Sequence, residues 1–484
     1  MFSEHLASIL LFECVQSTIK FGKLMKKILL NKVFLILYLV GLSFLLASCQ
    51  KEPDPEAAAS PLAIEKTTLT IGFVKLTDMA PLAIAVEKGF FKDEGLNVKL
   101  EAQPSWGVLY ERVQKDELDA AHMLAAMPLA SFIDPSSNKT PIITPFTLSY
   151  NGAAITVSNN VWNEMKKNVP MEHNLPKHPI SASSLRPVIA QYKQQQKLFK
   201  LGMTFPTGTH NYMLRYWLAA GGIHPGTYDP AHNNTSGNIG SDVDLTVIPP
   251  PEMISTMVEG VTSGYSVGEP WNQKAVKKGF GVSVITSDAI WENGADKVFG
   301  LTKTFAQQNP TTTLKLVKAL IRASHWLDEN NYANRKEATE IIAQDNYIRV
   351  DKDIIANSMT GVFEYEPGDV RPAKSFHTFF KGQYGIPYYS DAVWWLTQMR
   401  RWGQISTSQT DQWYLETAKQ VYRPDLYTQA AQALIDEGKM QVTQFPTLKS
   451  NAFIKAPQTS PLDQVVFDAH QPNRFLAAFK IGYK

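Results

Sequence analysis

The chain has 484 residues, with 47 Lys and Arg against 45 Asp and Glu and a formal net charge of +2. That balance gives no electrostatic footprint for nucleic acid. The two cysteines are Cys14 and Cys49, so the chain beyond residue 49 excludes a disulfide, a cysteine-held zinc cluster and a thiol nucleophile.

Residues 1–48 read as a leader. Met25, Lys26 and Lys27 make a basic start, and 28–46 is apolar apart from Asn31, Lys32 and Ser43. These are the n-region and h-region of a signal peptide. A membrane-spanning helix needs about 20 apolar residues, and Lys32 interrupts a run that is already slightly short. The first 24 residues fit no part of a signal peptide, which makes Met25 an alternative start. The leader closes on Leu46, Ala47, Ser48 and Cys49, the pattern at which bacterial lipoprotein precursors are acylated on the cysteine and cut. Cys49 is therefore the expected lipid-bearing residue, on the periplasmic side of a bacterial membrane. Without 1–48, which holds five Lys and two Glu, 436 residues remain at net charge −1, enough for two or three domains. Residues 49–66, polar and rich in Ala and Pro, read as a flexible tether.

Folded structure is expected from Thr67. Leu69, Ile71 and Phe73 alternate with Thr70, Gly72 and Val74, as in a half-buried strand. A helix follows over 81–87, closed by Gly89. Strands at 97–101 and 119–123 flank a helix opened by Trp106, and Pro128 starts another. This alternation argues a parallel sheet with helices on its faces. Further strands are expected at 153–158, 203–206, 244–248 and 265–268. Helices are expected over 187–199 and over 211–220, the second stopped by Gly221-Gly222 in C-cap position. Pro270 suits a first helical turn. From there to about residue 433 the sequence reads as mostly helical, and 232–242 reads as a polar loop without function.

Six motifs in this order carry a family likeness: PSWG at 104–107, DAAHMLAAMP at 119–128, NGAAITVSN at 151–159, MTFPTGTHNYMLRYWLAAGGIHP at 203–225, PPPEM at 249–253 and VGEPWN at 267–272. With the opening GFVKLTDMAPLAIAVEKGFFKDEGLNVKLE and the closing FDAHQPNRFLAAFKI, the chain resembles the nitrate- and bicarbonate-binding lipoproteins of ABC importers. The resemblance implies an α/β type II periplasmic-binding-protein fold, two lobes with a ligand cleft between them. The expected limits are 67–158 for the first part of lobe one, 159–264 for lobe two and 265–484 for the rest of lobe one. The crossings fall near Ser158 and Tyr265.

A small oxyanion needs fixed donors, and a helix N-terminus supplies free N–H groups at a positive dipole end. Thr207 to His210 precede such a start. Thr209 can N-cap the helix, which leaves the His210 imidazole free to donate to a ligand oxygen; the resemblance makes His210 a ligand residue. The alternative is a structural histidine bonded to a carbonyl. The resemblance places Trp106 in the pocket wall over a flat ligand, against the plain reading of a core aromatic. His122 is expected at a strand-to-helix junction, where α/β sheets place ligands, with core packing an equal reading. Asn272 and Trp271 read as structural, and Tyr212, Met213, Tyr216 and Trp217 read as core at helical spacing.

Two positions bear on the ligand by resemblance. Nitrate binders have an amide after the NG pair; here Ala153 stands there and cannot donate. They also have a cation near the second crossing, where bicarbonate binders have a Glu that helps hold calcium; this chain has Glu269. A bare carboxylate about 4 Å from a monoanion costs about 4 kcal/mol at an effective dielectric of about 20. Either Ca²⁺ sits between Glu269 and the anion, or Glu269 caps the following helix. The expected function is a lipid-anchored, monomeric, non-enzymatic catcher of a nitrate-, nitrite- or bicarbonate-like anion. Its partners would be a permease and an ATPase, with no nucleic acid involved. The competing readings are a binder of a sulfonate, taurine or a thiamine precursor, and a cytoplasmic nitrate sensor. An enzyme of the pyrimidine-precursor synthase type relies on a cysteine-rich motif that this chain lacks.

Overall fold

The computed structural model describes residues 63–133, 140–445 and 453–483. The expected signal peptide over 1–48, the expected acylation site Cys49 and most of the expected tether lie outside these residues. Among the described residues no helix is long and apolar enough to cross a membrane.

Two sheets organise the body. The first has six strands in the order His377–Thr378, Ile142–Asn151, Ala295–Thr302, Ala120–Leu124, Thr68–Val74 and Asn97–Gln103. Thr68–Val74 runs parallel to both Asn97–Gln103 and Ala120–Leu124. The βαβ alternation read from the sequence accounts for these three strands. Ala295–Thr302 lies antiparallel to both of its neighbours. The second sheet has five strands in the order Asp244–Val247, Lys200–Met203, Gly264–Gly268, Ala153–Ser158 and Gly281–Thr286.

Several elements depart from the sequence reading. Ile142–Asn151, Gly281–Thr286 and Ala295–Thr302 are strands, the last two inside a stretch expected to be mostly helical. All eight residues of Ala295–Thr302 are buried. A strand covered on both faces loses the alternation that marks a half-buried one. The strand expected at 203–206 lies at Lys200–Met203. The supposed polar loop over 232–242 contains a strand, Asn234–Ile239, paired antiparallel with Thr227–Asp229.

The passages between the sheets also differ from expectation. Strands Ala153–Ser158 and Gly264–Gly268 both belong to the second sheet. The chain therefore crosses at Gly152 and returns between Thr286 and Ala295, not near Ser158 and Tyr265. Asn151 and Gly152 both take positive φ, 58° and 88°, which turns the chain out of one sheet and into the other. A Cβ on residue 152 would collide with the His377 imidazole, so glycine is required there twice over.

The start of the body also lies earlier than Thr67. The Glu65 carboxylate accepts from the Thr311 and Thr312 N–H groups at 3.0 and 2.9 Å, at the start of the Pro310–Tyr332 helix. Those backbone bonds, acting against burial, lower its carboxyl pKa to about 2. Lys66 Nζ pairs with Asp119 at 2.6 Å. Residues 65 and 66 are thus fixed to the body and are not tether.

Candidate ligand-binding site

Where the two sheets meet, a cluster of fully buried polar side chains is built from both. The first sheet supplies Asp78 from the turn after its first strand, His122 from the middle of Ala120–Leu124, and Asp296 and Lys297 from Ala295–Thr302. The second supplies Thr204 just beyond Lys200–Met203, and Thr209 and His210 at the start of the Thr209–Ala220 helix. Gly268 ends the strand Gly264–Gly268 against them: a Cβ there would lie 3.3 Å from Asp78 Oδ2 and 3.5 Å from His210 Nε2. A side chain there would crowd the Asp78 carboxylate by a few tenths of an ångström and touch the His210 ring.

Lys297 is the centre. Its ammonium pairs with Asp78 Oδ2 at 2.8 Å and with Asp296, and it has no accessible side-chain surface. Burial alone would favour the neutral amine, but the Asp296 and Asp78 carboxylates outweigh it and hold the Lys297 pKa above its ordinary value. Burial likewise opposes the Asp78 charge. The Lys297 ammonium and a hydrogen bond from His122 overcome it, and the Asp78 carboxyl is held well below the usual range. His122 Nε2 lies 2.8 Å from Asp78 Oδ1. A carboxylate only accepts, so His122 carries its proton on Nε2.

His210 Nε2 faces Lys297 Nζ at 3.4 Å, and its Nδ1 lies 2.9 Å from Thr204 Oγ1. An ammonium has no lone pair. Nε2 is therefore the acceptor, and the Nδ1–H donates to Thr204. Burial, with Lys297 next, pushes the His210 pKa down to about 4, so the ring is neutral at physiological pH. The sequence reading of an imidazole free to donate is corrected: in this closed arrangement both ring nitrogens are engaged. Thr209 does not N-cap its helix either. Gly208 is the N-cap, without a side-chain bond, and the Thr209 hydroxyl donates to Asp296 across the sheets.

Trp106 stands over the cluster. Its ring is 5.3 Å from the His122 ring and 5.9 Å from Lys297 Nζ. It is fully buried, and its indole N–H has no partner. Ser105 caps the helix behind it. Trp106 and His122 thus both join the site, although His122 sits in mid-strand and not at the expected junction. Ala153 is buried and registers opposite Gly268. Thr207 is half-buried in the turn before the helix and joins none of these contacts.

Glu269 follows the capping alternative. Its Oε2 accepts from the Gln273 N–H at 3.0 Å, and its own carbonyl accepts from Thr77 N–H at 2.7 Å, tying the sheets together. Burial pushes its carboxyl up to about 8. Among the described residues no three His, Cys, Asp or Glu side chains are grouped so as to hold a metal ion. Glu269 Oε1 is buried with no hydrogen-bond partner. Trp271 and Asn272 are structural as expected: the indole donates to Lys75 O at 3.1 Å, and the amide bridges Thr156 and Val267. Tyr212, Tyr216 and Trp217 are fully buried core and Met213 nearly so. Sequence reading missed Asp78, Thr204, Gly268, Asp296 and Lys297. Asp78, Thr204 and Gly268 lay inside quoted motifs, whereas Asp296 and Lys297 lay in a stretch read as helical.

Residues 62–343 match the sequence model of the NMT1-like family. The chain belongs to the NMT1-like family. This chain is 32% identical over 439 residues to the nitrate/nitrite binding protein NrtA of Synechococcus elongatus, covering 88% of this chain and 89% of that protein. It is also 32% identical over 424 residues to the nitrate import ATP-binding protein NrtC of Synechocystis, and there it spans only 56% of the relative's length. The crystal structure of the periplasmic nitrate-binding protein NrtA from Synechocystis superposes with a TM-score of 0.75 at 28% identity, covering 87% of this chain and all of that one. The expected type II periplasmic-binding-protein fold is the fold of this NMT1-like chain.

Proposed function

We propose that this chain is the solute-binding component of an ABC importer and captures a small oxyanion of the nitrate, nitrite or bicarbonate kind. The observation that carries this reading is a buried ammonium, Lys297, between two sheets beneath an indole N–H that has no partner. An anion in the opened crease would meet Lys297, the Trp106 N–H and the positive end of the Thr209–Ala220 helix. The flat Trp106 ring suits a planar ligand. The similarity to NrtA over nearly the whole length of both chains supports the same reading.

The chain's task is capture and delivery, with no chemical step. The ligand shifts an open-closed equilibrium by binding the closed form better, and the closed form docks on a permease driven by an ATPase. Location on the periplasmic side follows the periplasmic relative, and the acyl chain on Cys49 tethers a monomer there. We take lobe one as the elements of the six-stranded sheet and lobe two as those of the five-stranded sheet. Calorimetry on residues 50–484 with nitrate, nitrite and bicarbonate, each with and without Ca²⁺, tests the assignment; absence of heat with all of them overturns it. Labelled palmitate recovered on Cys49, and lost in Cys49→Ala, tests the anchor.

A further inference from the structure

In the closed crease neither histidine offers a proton to a ligand. His122 uses its Nε2–H on Asp78, and its Nδ1 is a lone pair without a partner. His210 presents a lone pair to Lys297 and gives its Nδ1–H to Thr204. The charges around them are two carboxylates, Asp78 and Asp296, against one ammonium. Glu269, beside Gly268, adds no positive charge. A monoanion entering alone makes this cluster more negative still, among side chains with little or no accessible surface.

We infer that this protein captures its anion together with one proton, which His210 receives on Nε2. The inference rests on the anion reading proposed above. Solvent supplies the proton while the crease is open. The one bond formed is Nε2–H, and the Lys297–His210 contact is given up. The ligand oxygen takes the place between them, accepting from both. The Nδ1–H bond to Thr204 needs no rearrangement, because a hydroxyl accepts from imidazolium as it does from imidazole. The net charge of the cluster is then the same empty and loaded. Lys297 becomes the cation that holds the ligand, a role that Glu269 cannot fill. The groups facing His210 are Lys297, Asp296 at 3.8 Å, Asp78 and His122. Burial first, then Lys297 and to a smaller extent His122, keep the empty ring neutral, and the arriving anion offsets the two cationic contributions.

Nitrate is the probe, because it does not titrate itself. Calorimetry in buffers of different ionisation enthalpy should show close to one proton taken up per nitrate. Affinity should fall about tenfold per pH unit between about pH 6 and pH 8 while the loaded ring stays charged. His210→Gln keeps an N–H donor without a titrating group; it should bind more weakly, with no proton uptake and a flat pH profile. Uptake near zero in the wild type, or uptake that persists in His210→Gln, overturns the inference, the second result moving the proton to His122. Nitrate that binds without a proton leaves the anion reading standing and removes this one. No heat with nitrate, nitrite or bicarbonate at any pH removes both.

Discussion

The Lys297 ammonium and the Asp78 carboxylate meet at 2.8 Å with no accessible surface on either side chain. The pair ties the turn after the first strand to a central strand more than two hundred residues later. A buried pair of this kind is costly to break from one side, because the survivor keeps its desolvation penalty.

Lys297→Met should therefore lower the unfolding free energy by about 3–5 kcal/mol. The double variant Asp78→Asn with Lys297→Met should recover only part of that loss, because Asp296 still stands without its cation. Urea titration measures both. Equal loss in the single and double variants would show that the pair carries no such coupling.

The pH dependence of stability has opposite signs at Asp78 and Glu269. The Asp78 carboxyl is held below its unfolded value, so its stabilisation is complete above the unfolded pKa and is lost as pH falls toward the folded one. The Glu269 carboxyl is raised to about 8. The folded state then holds a proton that the unfolded state releases near pH 4, and stability falls as pH rises between the two values. Glu269→Gln removes this dependence. The wild type should lose stability relative to the variant by on the order of 1 kcal/mol per pH unit between about pH 5 and pH 8. Parallel melting curves at several pH values check it; a constant difference would place Glu269 in a wetter setting.

Trp106→Phe keeps an aromatic face over Lys297 but removes the indole N–H. A hydrogen bond to a charged acceptor contributes about 1.5–3 kcal/mol, so nitrate affinity should drop by about ten- to a hundredfold. Trp106→Ala should lose more. Calorimetric titration of the two variants separates the N–H from the ring; unchanged affinity in Trp106→Phe would remove the indole from the site.

Gly152→Ala places a Cβ at φ 88° and against the His377 ring. The strained backbone conformation and the collision together should cost at least about 1–3 kcal/mol. Adding His377→Ala relieves only the collision. The double variant should regain part of the stability, and thermal unfolding measures how much. A single variant as stable as the wild type would contradict the described crossing.

Local and periodic features of this protein were legible in its amino-acid order. Leu69, Ile71 and Phe73 announce a strand by their spacing of two, although Gly72 and Val74 on the other face are buried as well, and Gly221-Gly222 stops its helix wherever the helix lies. His210 and Trp106 were legible because each sits beside a helix start within a recognisable motif. The tertiary structure alone decided the charge logic of the crease. Lys297 and Asp296 lie on a strand covered on both faces, whose lack of alternation hid it within a stretch read as helical. Asp78, the partner of Lys297, is remote in sequence. Whether a lysine is a solvated surface group or the buried centre of a binding site depends on which carboxylates surround it, and no local pattern records a contact made across two sheets.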